Sequence, residues 1–303
     1  MSDDSQADTV DDLPALPAGP GPAGVPLRVD LWGLTHPGKV RPTNEDHFHI
    51  VQFGRYLRTL GSSLPDGEAP EEVGEAGHGF AVADGVGGNA GGETASRLAL
   101  SLLVELILQT PDWVLSQQED LLAKVMDRFA GRFQAVNSAV LAKAEDEPEL
   151  RGMGTTLSLA VTRRDTLLVA HVGDSRAYLL RGGRLRRLTY DHTASRPVAD
   201  PFGAGPTRFR RALTRAIGLP PSMAEPDLYH YRLEDGDRLL LCTDGLTDMV
   251  RDDTIAQELG RWPAAADACR TLVDLALANG GRDNVTVVVA NYRRPTAGED
   301  PAG

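Results

Sequence analysis

The stretch Gly79-Phe-Ala-Val-Ala-Asp84-Gly85 ends a short apolar run on an aspartate and follows it with glycine. Three more stretches share this layout: Val169-Ala-His-Val-Gly173-Asp174, Leu239-Leu-Leu-Cys-Thr-Asp244-Gly245, and Arg282-Asp283-Asn284 running into Val285-Thr-Val-Val-Val289. One Asp-Gly after a strand is an ordinary turn, because glycine supplies the positive φ that such turns need. Four strand-end aspartates describe the rim of a β-sheet protein that gathers carboxylates at one edge. Carboxylates packed that closely repel, so one must take up a proton or find a cation. Oxygen ligands without nearby His or Cys candidates suit a hard cation, magnesium or manganese.

The composition sets the frame for that site. The chain has 303 residues, of which 41% are hydrophobic, enough to bury a sizeable core in one large domain or two small ones. It carries 31 basic and 43 acidic residues, a net charge of -12. Asp3, Asp4, Asp8, Asp11 and Asp12 supply five of those charges before any Lys or Arg appears. The acidic remainder argues against a general nucleic-acid binder, which needs a basic face. Cys242 lies in an apolar strand and Cys269 in a helical pattern, so both read as small buried hydrophobes rather than a disulfide. Neither a membrane-spanning apolar run nor a signal-peptide layout is present, and a cytoplasmic location is the expectation.

Residues 1–27, rich in Asp, Pro, Ala and Gly, read as a disordered tail. Residues 61–77 read as an elongated hairpin loop between two strands. Helical spacing appears over 93–109 (Leu98, Leu102, Leu103, Leu106) and 112–144 (Leu122, Val125, Met126, Phe129, Phe133, Val136, Val140), which predicts an antiparallel helix pair packed on a sheet. Strand patterns follow at 157–162, 166–172, 176–180 and 184–188, with Gly182-Gly183 marking a tight hairpin. Residues 191–212 read as an irregular basic surface excursion. Strands at 229–233 and 237–243, helices at 254–260 and 264–278, and a strand at 285–292 complete an α+β layered order.

Seven motifs stand in one order: Arg41-Pro-Thr-Asn-Glu45-Asp46, Asp84-Gly85-Val86-Gly87-Gly88, Gly152-Met-Gly-Thr-Thr156, Gly173-Asp174-Ser175-Arg176, Leu213-Thr214-Arg215-Ala216-Ile217-Gly218, Thr243-Asp244-Gly245-Leu246 and Asp283-Asn284. Together they resemble the metal-dependent serine/threonine phosphatases of the protein phosphatase 2C (PPM) type, over residues 31–292. Val86 after Asp84-Gly85 looks like the bacterial branch. The resemblance implies a four-layer αββα sandwich, two antiparallel sheets flanked by helices with the metal site at one edge. The catalytic domain would span 28–293, with a flap at about 191–212 and a flexible C-terminal tail at 294–303.

The resemblance also implies roles. Asp84 would bridge two Mn2+ or Mg2+ ions, with the Gly85 carbonyl on one and Asp244 and Asp283 on the other. Glu45 and Asp46 would coordinate the metals or orient their waters. A weaker third metal would use Asp174, Asp244 and Asp248. Arg41 matches the arginine that grips the phosphate, and a guanidinium can fork onto two of its oxygens.

By that resemblance, two bound cations would lower the pKa of a water, which would attack phosphorus in line. Valine at 86, where many eukaryotic relatives carry His, removes an acid for the leaving group. A flap bearing Arg196, Arg208, Arg210 and Arg211 suits acidic or multiply phosphorylated substrates, or is a solvated loop. His47 and His49 alternate with Phe48 and Ile50 as ordinary strand residues. The expected activity is hydrolysis of phosphoserine and phosphothreonine in proteins by a monomer that opposes a Ser/Thr kinase, with neither nucleic acid nor membrane as partner. A binding module without catalysis and a phosphatase of a small phosphorylated metabolite are the alternatives.

Overall fold

Alternation along single strands decides how this chain layers. In the strand Arg238–Cys242, Leu239 and Leu241 face one buried cluster while Leu240 and Cys242 face another. A strand with both faces apolar lies between two layers, since successive side chains point to opposite sides. The computed structural model bears this out, and describes residues 27–59, 63, 72–87, 91–109, 119–198 and 208–295.

The strands are β1 (Arg28–His36), β2 (Asp46–Arg58), β3 (Glu72–Val86), β4 (Gly154–Thr155), β5 (Leu157–Arg163), β6 (Thr166–Val172), β7 (Arg176–Arg181), β8 (Arg184–Arg187), β9 (Thr193–Val198), β10 (Arg208–Leu213), β11 (Asp227–Arg232), β12 (Arg238–Cys242) and β13 (Val285–Arg293). The helices are α1 (Gly91–Gln109), α2 (Glu119–Asp146), α3 (Asp244–Thr247), α4 (Asp252–Arg261) and α5 (Ala265–Ala278). One sheet runs β1-β13-β12-β7-β8; the other runs β11-β6-β5-β3-β2, with β4 pairing β3 at its end. All of these pairings are antiparallel.

Three buried clusters hold the layers together. Phe80, Val82, Ala160, Leu239, Leu241, Val288 and Tyr292 fill the space between the sheets. Ala81, Ala83, Leu159 and Val172 turn outward to meet Ala99, Leu103, Phe129 and Phe133 of α1 and α2. On the far side Leu240, Val287 and Val289 meet Ile255, Leu259, Leu272 and Val273 of α4 and α5. The order is therefore helix, sheet, sheet, helix, as the family resemblance implies. Each such aliphatic side chain contributes roughly 1.5–3 kcal/mol by leaving water.

Two readings of the sequence need correction. The expected loop at 61–77 is shorter, because β3 begins at Glu72 and pairs with β2 from Arg58↔Glu72 onward. This arm carries Gly74, Gly77 and Gly79, which hides its strand character from a hydrophobic pattern. The excursion at 191–212 is not irregular: β9 and β10 form a two-stranded antiparallel hairpin, from Thr193↔Leu213 to Val198↔Arg208. Residues 199–207, the side chains of Arg196, Arg208, Arg210 and Arg211, the tails at 1–26 and 296–303, and the first part of the 112–144 helix lie outside the described residues. No helix among the described residues is long and apolar enough to cross a membrane.

Leu241 is fully buried between the sheets. Leu241→Ala is expected to cost about 2–5 kcal/mol of unfolding free energy, measured by urea denaturation; a loss below about 1 kcal/mol would mean that this cluster is not the shared core.

Candidate metal centre

Four inner-facing rows of side chains run from this core to one end of the sandwich, and each turns polar there. On β3 the row is Phe80, Val82, Asp84; on β2 it is Ile50, Phe48, Asp46. Leu239 and Leu241 of β12 lead to Thr243, and Val288 of β13 leads back to Thr286. Asp46 and Asp84 are register partners on adjacent strands. Two carboxylates thus face two threonines across the gap between the sheets.

The facing groups are bonded. Asp46 is buried, and its Oδ2 accepts from Thr243 Oγ1 at 2.8 Å and from Thr286 Oγ1 at 2.8 Å. Thr243 Oγ1 in turn accepts the Thr286 amide at 3.0 Å. Thr35 Oγ1 lies 2.7 Å from Thr286 Oγ1, and Asn44 Nδ2 donates to Thr35 Oγ1 at 2.9 Å. With Thr286 donating to Asp46, Thr35 must donate to Thr286. The result is a directed chain, Asn44 to Thr35 to Thr286 to Asp46, in which each bond polarises the next. Both lone pairs of Oδ2 are used, leaving Oδ1 of Asp46 for a cation or its water.

Asp84 is fixed through its backbone. Its N–H donates to Thr156 Oγ1 at 2.9 Å, and its carbonyl accepts from Thr155 Oγ1 and the Thr156 amide, each at 2.9 Å. The carboxylate is left without a role in holding the strand. The Gly85 amide donates to the Glu45 carbonyl at 3.2 Å, which also accepts from Ser96 Oγ at 2.6 Å. Asp244 opens α3 just beyond β12, and Asp283 stands just before β13. Gly245 has to be glycine, because a Cβ there would collide with the Asn284 carbonyl.

Asn284 organises the segment that carries Arg41 and Glu45. Its Oδ1 accepts the Glu45 amide at 2.8 Å, and its Nδ2 donates to the carbonyls of Pro37 and Thr43 at 2.9 and 2.8 Å. Arg41, half-exposed, reaches back to Asp283, with Nη2 2.6 Å from Oδ2. Among the described residues, no group of three or more His, Cys, Asp or Glu is drawn around a single point as metal ligands.

The electrostatics show what the cluster lacks. Burial, followed by repulsion from Asp46, Asp244, Asp174 and Asp283, holds the Asp84 carboxyl well above the usual carboxylate range. Burial and then Asp174, Asp248, Asp283 and Asp46 push Asp244 up to about 8. Burial pushes Asp46 up to about 7 despite its two threonine donors, and Asp174 up to about 6 with Asp191 and Asp248 nearby. Burial also raises Glu45, with Arg41 opposing. Arg41 is held more firmly protonated by its bond to Asp283.

Asp46, Asp84, Asp174, Asp244, Asp248 and Asp283 therefore form one electrostatic neighbourhood, with Glu45 and Arg41 at the margin. An all-oxygen, carboxylate-rich donor set short of positive charge fits Mg2+ or Mn2+. Thr243, Thr286, Thr35 and Asn284 had no assigned part in the sequence reading. The available signal was a polar residue ending an otherwise apolar inner row.

The chain matches the family model described as Protein phosphatase 2C over residues 69–278. It is 41% identical over 215 residues to the serine/threonine protein phosphatase PstP of Mycobacterium tuberculosis, covering 70% of this chain and 40% of that protein. The chain thus spans less than half the length of that relative. It is 32% identical over 226 residues to the serine/threonine phosphatase stp of Listeria monocytogenes, covering 72% of this chain and 86% of that one. Among solved structures, the catalytic domain of PstP in complex with two manganese ions superposes with a TM-score of 0.63 at 33% identity, covering 88% of this chain and 99% of that chain.

A carboxyl whose folded-state pKa is raised gives up stability as pH climbs from its ordinary value through the raised one. For Asp244 that window runs from 3.8 to about 8. In chelator, the melting temperature of Asp244→Asn is expected to gain on the unsubstituted protein steadily between pH 5 and pH 8. Mn2+ should raise the melting temperature of the unsubstituted protein more than that of the variant. A difference independent of pH would contradict the crowding of these carboxylates.

Proposed function

Because this chain belongs to the protein phosphatase 2C family, we propose that it hydrolyses phosphoserine and phosphothreonine in proteins, opposing Ser/Thr kinases. The observation that carries this reading is the gathering of Asp84, Asp244, Asp283 and Asp46 at one sandwich end, with the guanidinium of Arg41 beside them. Asp84, the Gly85 carbonyl, Asp244 and Asp283 would hold two Mn2+ or Mg2+ ions, with Glu45 and Asp46 as ligands or as acceptors for bound water. Asp174, Asp244 and Asp248 would hold a weaker third ion. When bound, the cations offset the charge of the phosphomonoester dianion and lower the pKa of the attacking water.

The chain's own residues supply the rest. Arg41 is 52% exposed, so its guanidinium can turn from Asp283 to an incoming phosphate and grip two oxygens at once. The Asn284 bonds to Pro37, Thr43 and Glu45 hold the segment from which it reaches. The threonine pair fixes Asp46 so that one oxygen alone is left for the site. Val86 is exposed near this end and has no proton to give, so the leaving alkoxide takes its proton from water. That favours esters with good leaving groups in assays.

The test is release of phosphate from matched phosphoserine, phosphothreonine and phosphotyrosine peptides with Mn2+ and with chelator. Hydrolysis of the first two, dependent on Mn2+ and abolished by Asp84→Asn, is expected. Arg41→Ala should lower kcat/KM about 10-fold to 100-fold, the worth of a charge-assisted hydrogen bond. Full activity in Asp84→Asn, or equal rates with chelator, would overturn the reading.

A further inference from the structure

Asp174 occupies a turn that is held from two sides by residues outside the motif containing it. On its inner side, Ser175 Oγ lies 2.7 Å from Thr156 Oγ1, the hydroxyl that accepts the Asp84 amide. Gly173, at φ +117°, lies against the Thr156 side chain, where a Cβ would collide. The turn is thereby seated on the same threonine that positions Asp84.

The outer side is held by the base of the β9–β10 hairpin. The His192 amide donates to the Gly173 carbonyl at 2.7 Å, and the Gly173 amide donates to His192 Nδ1 at 3.1 Å. This reciprocal pair sits immediately before Asp174. Two residues beyond it, Arg176 makes a forked ion pair with Asp191, Nε to Oδ1 at 3.0 Å and Nη2 to Oδ2 at 2.7 Å. Both partners are 14% exposed, so the pair is poorly screened by solvent. Consecutive residues 191 and 192 thus clamp both flanks of Asp174.

His192 also joins the two legs of the hairpin. Its carbonyl accepts the Thr214 amide at 2.8 Å, just beyond β10. Because Nδ1 accepts from Gly173, the ring proton sits on Nε2, which donates to Asp227 Oδ2 at 3.0 Å. Asp227 is itself held by Arg215 at 2.7 Å and by Tyr229 Oη at 3.1 Å. The His192 ring is therefore fixed at both nitrogens.

We infer that Asp191 and His192 are positioning residues for Asp174: the base of the β9–β10 hairpin sets the affinity of the cation site to which Asp174 contributes. The inference rests on the assignment of Asp174 as a ligand in the proposed phosphatase. Neither residue is a ligand itself. Their part is to stop the turn from rotating its carboxylate away, as groups behind metal ligands do elsewhere at about 10-fold to 100-fold in affinity. It also makes the hairpin and the cation site one mechanical unit.

The test is calorimetric titration of Mn2+ into the full chain and into Asp174→Asn, His192→Ala, His192→Asn and Asp191→Asn. Asp174→Asn defines the weak class of binding by its loss. His192→Ala and Asp191→Asn should weaken that class about 10-fold or more while leaving the tighter binding unchanged. His192→Asn, whose side-chain oxygen can replace Nδ1 as acceptor for the Gly173 amide, should recover most of it. Combined with Asp174→Asn, the Asp191 and His192 substitutions should add nothing. Circular dichroism checks folding, and Asp191→Asn carries the test if His192→Ala does not fold. Weak-class binding unchanged in folded Asp191→Asn and His192→Ala would overturn the inference. If the unsubstituted protein hydrolyses phosphopeptides with Mn2+ and the Asp191 and His192 variants titrate as it does, this inference alone fails. If it neither binds Mn2+ nor hydrolyses them, the phosphatase reading fails with it.

Discussion

Mutual repulsion among buried carboxylates at one end of two packed sheets is the constraint to which this structure answers. A sandwich core ends where its inner rows of side chains reach solvent, and this chain ends four of them in Asp or Thr. Asp84 and Asp244 both feel Asp46, Asp174 and Asp283, and each is driven toward its neutral form. Such a cluster is unfavourable for the protein alone. It becomes favourable only when positive charge is supplied, which ties the stability of this end to the binding of cations.

Around that constraint the protein distributes rigid supports. Asp46 crosses the gap between sheets to two threonines, and the chain of hydroxyls behind it extends to Thr35 and Asn44. Asn284 ties the 37–45 segment to the start of β13. Thr156 serves Asp84 and the Asp174 turn together. Each support is a neutral hydrogen-bonding group, which orients a carboxylate without cancelling its charge. Among the described residues Arg41 is paired directly with Asp283 of the cluster, from a half-exposed position.

Much of this was legible in the chain. Unbroken apolar runs such as Leu239 to Cys242 announce strands with two buried faces, and the strand-end aspartates announce a gathering of carboxylates without any knowledge of the fold. The family resemblance carried by the motifs implied the layer sequence. What the sequence hid falls into two kinds. The arm of β3 from Glu72 carries Gly74, Gly77 and Gly79, so it lacks the hydrophobic alternation that marks strands elsewhere. The contacts of Asp46 with Thr243 and Thr286 join residues 197 and 240 positions apart, and only the stacking of the two sheets brings them together. The clamp of Asp191 and His192 on the Asp174 turn is hidden for the same reason: its bonds depend on where the hairpin base lands.

The most direct measurement is a crystal structure grown with manganese and read by anomalous scattering at the manganese edge. The account predicts manganese peaks between Asp84, Asp244 and Asp283, with Asp283 on the metal and Arg41 released from it. A structure with Asp283 still paired to Arg41, and no manganese among these carboxylates, would contradict it.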